Sequence, residues 1–150
     1  MASINRRAQS HRPLELRRSL DFELARVLVV DDDPTARLTL QTVLEAGGYR
    51  VDSAASAAEA VGKLEEQEYE LVLSDLQMES PEAGLKVLAH ARLMDYKPAT
   101  AIVSSTTQGQ KTEGSRMLIK PEDLPGLLAK VASLISHRAA RRVARELRQN

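Results

Sequence analysis

The sequence predicts an α/β fold in which a parallel sheet is sandwiched between helices. Three observations carry this prediction. Short apolar runs rich in branched side chains recur along the chain and stop at charged residues: VLVV at 27–30 ends at Asp31, LVLS at 71–74 ends at Asp75, and MLI at 117–119 ends at Lys120. Runs of this length and composition read as strands buried on both faces, the usual condition in parallel sheets. The stretches between them have helical period and capping residues, so strand and helix alternate along the chain.

Each element has its own local reason. After the first strand, Asp33 is placed to cap a helix and Pro34 to be its first residue; Leu38, Leu40, Val43 and Leu44 give it an apolar side, and Gly47-Gly48 closes it. The second strand is a weak one at 49–51. Ser56 with Glu59 three residues on reads as a capping box, opening a helix through Val61 and Leu64 towards Gln67. A third strand is expected at 70–74, then a loop holding Pro81 and Gly84, then a helix with Leu85, Leu88, Ala91 and Leu93 that ends before Pro98. Strand four is expected at 101–104 and strand five at 117–119. Between them, residues 105–116 are rich in Gly, Thr, Ser and Gln, and a full amphipathic helix is hard to place there. The last helix is expected to start near Glu122 and to bury Leu124, Leu127, Leu128, Val131, Leu134 and Ile135. It continues in helix-favouring residues to 147, with Val143 and Leu147 as a sparse apolar stripe.

Composition narrows the functional classes. A chain of 150 residues with 43% hydrophobic content can bury one core and little more, so a single domain with tails is expected. Cysteine is absent, which excludes disulfides, thiolate catalysis and zinc–thiolate sites and suits a reducing compartment. No apolar run approaches the roughly 20 residues that span a bilayer, and a cytoplasmic location is expected. The zero net charge is unevenly spread. Residues 1–26 carry +3, from six Arg against three carboxylates; residues 27–136 carry −7, from ten cations against seventeen carboxylates; residues 137–150 carry +4, from five Arg against one Glu. The organisation expected is a basic arm at 1–25, an acidic body at 26–136 and a basic extension of the last helix at 137–150. With no Trp and a single Phe there is little to stack on bases, so nucleic acid is not the expected partner. His11, His90 and His137 lack the spacing of a metal site or relay and read as ordinary surface residues.

Parallel sheets bind ligands just beyond their strand carboxyl ends. Asp31, Asp32, Asp33, Asp75 and the Lys120 ammonium are therefore expected to meet in one crevice. Three or four carboxylates repel one another unless a cation sits among them, and an all-oxygen donor set suits a hard ion such as Mg²⁺. This is the outline of a metal-assisted phosphoryl-transfer site. Asp33 has a sufficient role as helix cap.

The order strand–DDDP, strand–SD, strand–SS, strand–KP resembles the receiver domain of two-component response regulators over residues 26–136. The resemblance implies a doubly wound, flavodoxin-like (CheY-like) five-stranded parallel sheet of order 2-1-3-4-5 with helices on both faces. It implies that Asp75 accepts a phosphoryl group from a sensor histidine kinase, a phosphotransfer protein or a small phosphodonor. Asp31 and Asp32 would hold Mg²⁺ together with Asp75 and the backbone carbonyl of Gln77, Lys120 would supply the ammonium, and Ser104 the hydroxyl facing the phosphoryl group, with Ser105 and Thr106 as alternatives one or two residues on. Such a protein is not an enzyme beyond turnover of its own phosphoryl group. Its output would be protein contact with a downstream partner, and the last helix could also pair two copies.

Departures from the family pattern stand beside this. Glu79 occupies the usual proline position, where its carboxylate could alter phosphoryl lifetime, and Gly84 is displaced by about one residue. Met117 replaces the usual aromatic, and the short 105–116 segment implies a shortened or missing helix between strands four and five. Only 14 residues follow Ser136, so a stand-alone receiver is expected. Two other readings stay open. One is a receiver fold that kept binding and lost the phosphorylation switch. The other is a haloacid-dehalogenase-type phosphatase with Asp31 as nucleophile and Asp33 as acid, although the acidic pair such enzymes need on a later strand is here only Glu122-Asp123, at a helix start.

Overall fold

The computed structural model describes residues 25–76, 78–103, 117–119 and 124–149. In chain order the elements are β1 (Arg26–Val30), α1 (Pro34–Ala46), β2 (Arg50–Ala54), α2 (Ala57–Glu66), β3 (Leu71–Asp75), α3 (Ala83–Leu93), β4 (Ala99–Val103), β5 (Met117–Ile119) and α4 (Leu124–Gln149). The strands form one five-stranded sheet of order β2-β1-β3-β4-β5, with every pairing parallel. The fold class and strand order expected from the sequence are those observed.

Strand residues divide by parity between two cores, because successive side chains of a strand point to opposite faces. Val27, Val29, Leu71, Leu73, Ala99, Ala101 and Val103 pack with Leu40 and Leu44 of α1 and Leu127 and Val131 of α4. Leu28, Val30, Val72 and Ile102 pack with Ala60 and Leu64 of α2 and Val87, Leu88 and Ala91 of α3. Both faces of the central strands are thus covered, which is why those strands read as continuous apolar runs.

The caps follow the sequence closely. Asp33 is extended and its carboxylate accepts the Ala36 amide at 3.1 Å, with Pro34 opening α1. Ser56 Oγ accepts the Glu59 amide at 3.1 Å, while the Glu59 carboxylate reaches back to the Ala55 amide at 2.8 Å, one residue before the position a capping box would use. At the end of α1, Gly48 takes φ +99, a conformation glycine adopts without steric cost.

The differences concern faces and edges. Leu38 and Leu93, expected to be core, are 64% and 73% exposed, and Leu85 also faces solvent. The buried side of α3 is Gly84, Val87, Leu88 and Ala91, at i, i+3, i+4 and i+7. The second strand runs to Ala54, three residues beyond its apolar part, because it forms a sheet edge and Asp52 finds partners there: Tyr69 Oη donates to Asp52 Oδ2 at 2.7 Å, and Arg26 Nη1 lies 3.5 Å from it. Strand four begins at Ala99, two residues earlier than expected, since Ala99 and Thr100 pair with Leu71 and Val72 of β3. His90 is engaged with Glu65 at 2.8 Å, joining α3 to α2. Most unexpected is Arg138. It lies in the segment read as a solvated basic extension, yet it is 8% exposed, and its Nε and Nη2 donate to the carbonyls of Lys97 at 3.0 Å and Tyr96 at 2.6 Å. No helix among the described residues is long and apolar enough to cross a membrane.

Candidate active site

The register of the sheet aligns the strand ends. Val30 faces Ala54 and Ser74, Asp75 faces Val103, and Val103 faces Ile119. Residues immediately following these ends therefore start from one rim.

Asp31 leaves β1 by donating its amide to Ala54 O at 3.1 Å, which extends the ladder and directs the side chain inward. Its Oδ1 accepts the Asp33 amide at 2.9 Å, and Arg37 Nη1 donates to its carbonyl at 2.8 Å. The residue is only 7% exposed. Burial raises its pKa above the ordinary carboxylate value; the Asp33 amide works the other way, the neighbouring Asp32 and Asp33 charges add to the rise, and the Arg37 guanidinium opposes it. Asp32 is exposed beside it, and Asp33 is turned to its capping role on α1.

Asp75 closes β3 and is half-buried, its carbonyl accepting Ser74 Oγ at 3.1 Å. One carboxylate oxygen from each of Asp31, Asp32 and Asp75 lies within 4.8 Å of the others. With Asp33, Ala36, Leu40 and Val103 these three line a cleft of about 210 Å³. The donor set is oxygen only and its charges are crowded, with one acid already held towards its neutral form by burial. That combination suits a hard divalent cation such as Mg²⁺, which would relieve the repulsion.

Two further residues shape this rim. Gly84 packs so closely on the turn leaving β3 that an added Cβ would overlap the Asp75 carbonyl and stand 2.6 Å from that of Leu76. The glycine displaced in sequence thus stands in close steric contact with that turn. Glu79 is engaged at a helix start: its Oε2 accepts the Ala57 amide at 3.0 Å, adding a carboxylate to the N-terminus of α2. Neither contact was foreseen from sequence, nor was the hold of Arg37 on Asp31. Only Arg37 left a usable signal, one turn into a helix that begins beside the acids. Of the other predicted site residues, Gln77, Ser104 and Lys120 lie outside the described residues, as does the 105–116 segment.

The profile of the response regulator receiver domain matches residues 27–132, more than half of the chain. The chain belongs to the response regulator receiver family. The receiver is 31% identical over 117 residues to the transcriptional regulatory protein ZraR of Escherichia coli K12, a match covering 74% of this chain and 26% of that protein. It is 36% identical over 86 residues to the transcriptional regulatory protein ResD of Bacillus subtilis, covering 57% of this chain and 34% of that protein. The receiver therefore spans about a quarter to a third of the length of these relatives. Among solved structures, the response regulator TrrA of Thermotoga maritima, in complex with Mg²⁺-BeF, is 27% identical with a TM-score of 0.66 over 74% of this chain and 99% of that one. A CheY-like receiver domain protein from Methanospirillum hungatei is 25% identical with a TM-score of 0.66, over 79% and 98%. Receivers are the domains of two-component signalling proteins that typically accept phosphoryl groups, and they generally engage histidine kinases or phosphotransfer proteins.

Proposed function

We propose that this receiver takes a phosphoryl group on Asp75 in a Mg²⁺-dependent reaction, from a histidine kinase or phosphotransfer protein, and passes the signal on by protein contact. The observation that carries the proposal is the convergence of Asp31, Asp32 and Asp75 carboxylate oxygens within 4.8 Å at the carboxyl rim of the sheet. It is supported by the likeness to a solved receiver bound to Mg²⁺-BeF.

In this reading Asp31, Asp32, Asp75 and the Gln77 carbonyl would hold the ion, which would supply charge neutralisation for the transferring phosphoryl oxygens. An oxygen of Asp75 forms the new bond to phosphorus as the donor's bond breaks, and no proton need be moved because Asp75 reacts as its carboxylate. Asp31, set deep, fixes the geometry; Lys120 would supply the balancing positive charge and Ser104, or Ser105 or Thr106, the hydroxyl that follows the phosphoryl group. Phosphoryl transfer of this kind depends on positioning and charge neutralisation more than on acid–base chemistry. The receiver turns over only its own phosphoryl group, acts in the cytoplasm, and passes its signal to a protein partner rather than to a membrane or nucleic acid.

The test is labelling with acetyl phosphate, with and without Mg²⁺, read by intact mass, followed by mapping of the acyl phosphate with hydroxylamine. Label on Asp75 that requires Mg²⁺ is the expected result. Label on Asp31 would point to hydrolase chemistry, and its absence under all conditions to a receiver fold retained only for binding.

A further inference from the structure

The end of the molecule opposite the acidic rim carries a second cleft with the reverse charge. It has a volume of about 400 Å³ and lies between the C-terminal end of α3, the turn into β4 and the outer part of α4. Four cations line it, Arg92, Lys97, Arg141 and Arg145, and no carboxylate does. Pro98 and Leu134 contribute apolar floor. Because the sheet is parallel, the amino ends of its strands share this end, so the cleft is remote from Asp75 and independent of it.

The walls are held in place. Arg138 is buried and its guanidinium donates to the Tyr96 and Lys97 carbonyls, pinning α4 to the turn. Lys97 adopts φ +47, an uncommon conformation for a side chain of its size, and its Nζ donates to Arg92 O at 3.1 Å. Arg141 and Arg145 are one turn apart on one side of α4, where like charges disfavour the helix unless something compensates them. Among the described residues no carboxylate pairs with Arg92, Arg141 or Arg145; Glu146 is taken by Arg142 at 3.7 Å. Glu70 accepts the Arg26 amide at 2.7 Å, and its charge, with that of Glu68, acts on the buried Arg138.

From this geometry we infer that the cleft is a binding site for a small molecule carrying two or more linked phosphate groups. Its volume is that of a small-molecule site, and guanidinium pairs grip phosphate oxygens in bidentate fashion. A second copy is a poorer occupant. The acidic surface that could answer these cations, with Glu65, Glu66, Glu68 and Asp95, is itself a cleft of about 440 Å³ beside the same turn, and two concavities do not fill each other. Nucleic acid is also disfavoured, since no aromatic ring lines the site to stack on a base.

The experiment is an amide NMR titration of the full chain with inorganic tripolyphosphate in metal-free buffer, alongside the variant R141E/R145E. Expected are saturable shifts centred on Lys97, Thr100 and residues 138–145, with at least tenfold weaker binding in the variant. A separate Mg²⁺ titration should move the Asp31 and Asp75 amides equally in both proteins, which shows that the variant is folded and keeps the two sites apart. Unsaturated drift spread over all surface cations, or equal affinity in the variant, overturns the inference. So does tighter binding of a single-stranded oligonucleotide than of tripolyphosphate, or self-association that the variant abolishes without any change in tripolyphosphate affinity.

Discussion

Asp31 sits where its own charge is disfavoured. Burial holds its pKa above the ordinary 3.8 despite the Asp33 amide. A carboxyl whose folded pKa exceeds its unfolded value stabilises the fold below the unfolded pKa, and that contribution is lost as pH rises through the folded pKa. Metal-free protein at neutral pH therefore carries a penalty that Asp31→Asn should remove. Scanning calorimetry of the two proteins without metal should give a higher Tm for the variant at pH 7 and a difference that shrinks to nothing below about pH 3.8. The same variant should bind Mg²⁺ at least tenfold more weakly, by fluorescence or calorimetric titration, because a neutral amide replaces one of three charged donors. Glu79 gives the converse case. Sequence position alone placed its carboxylate near the reaction, but it is bonded to the Ala57 amide. Glu79→Ala should lower stability by about 0.5–1 kcal/mol, as loss of a charged partner at a helix N-terminus does, and leave the decay rate of phosphorylated protein nearly unchanged. A several-fold change in that lifetime would show that the side chain turns towards the phosphoryl group.

At the scale of elements, the contact between α3 and the end of β3 is set by one missing methyl group. An alanine at 84 would press its Cβ into the carbonyls of Asp75 and Leu76, backbone atoms that cannot rotate away. Gly84→Ala should cost about 1–3 kcal/mol in denaturant unfolding and slow acetyl-phosphate labelling, since the turn carrying Asp75 must shift to admit it. An unchanged labelling rate would mean that the turn yields without moving the carboxylate. On α4, Arg138 is the tie between the helix and the α3–β4 turn. Arg138→Met keeps much of the packing but leaves two carbonyls without their donor. A loss of about 2–3 kcal/mol follows from charge-assisted hydrogen bonds of this kind, together with faster amide exchange over residues 139–149.

For the molecule as a whole, charge is sorted into separate clefts, with an acidic one lying beside the basic one at the α3–β4 turn. The carboxyl rim gathers three acids, and the far end holds the basic cleft beside α4. A ligand that binds only the folded state stabilises it by mass action, so Mg²⁺ at ten times its dissociation constant should stabilise the fold by about 1.4 kcal/mol at pH 7.5. That gain should shrink at pH 4, because a proton on Asp31, whose pKa burial raises, competes with the ion. Thermal melts at the two pH values check it, and an equal gain at both would place the ion away from the acidic cluster.

Much of this was legible in the residues because the relevant signals are local. Strand runs buried on both faces, Asp33 and Pro34 opening α1, Ser56 opening α2, and acids at strand ends all follow from short-range chemistry and the rule that parallel sheets bind ligands at their carboxyl rims. What local pattern could not decide was which of several apolar residues on a helix meets the sheet. Leu38, Leu85 and Leu93 are as apolar as the core residues beside them, and only the angle at which each helix lies on the sheet exposes them. Nor could it decide non-local contacts: Glu79 reaching the start of α2, Gly84 against the β3 turn and Arg138 under Tyr96 and Lys97 join residues 8 to 42 positions apart. Such pairings leave no periodic trace in a sequence. They exist because close packing brings a donor and an acceptor, or two backbones, to one point that only the assembled fold defines.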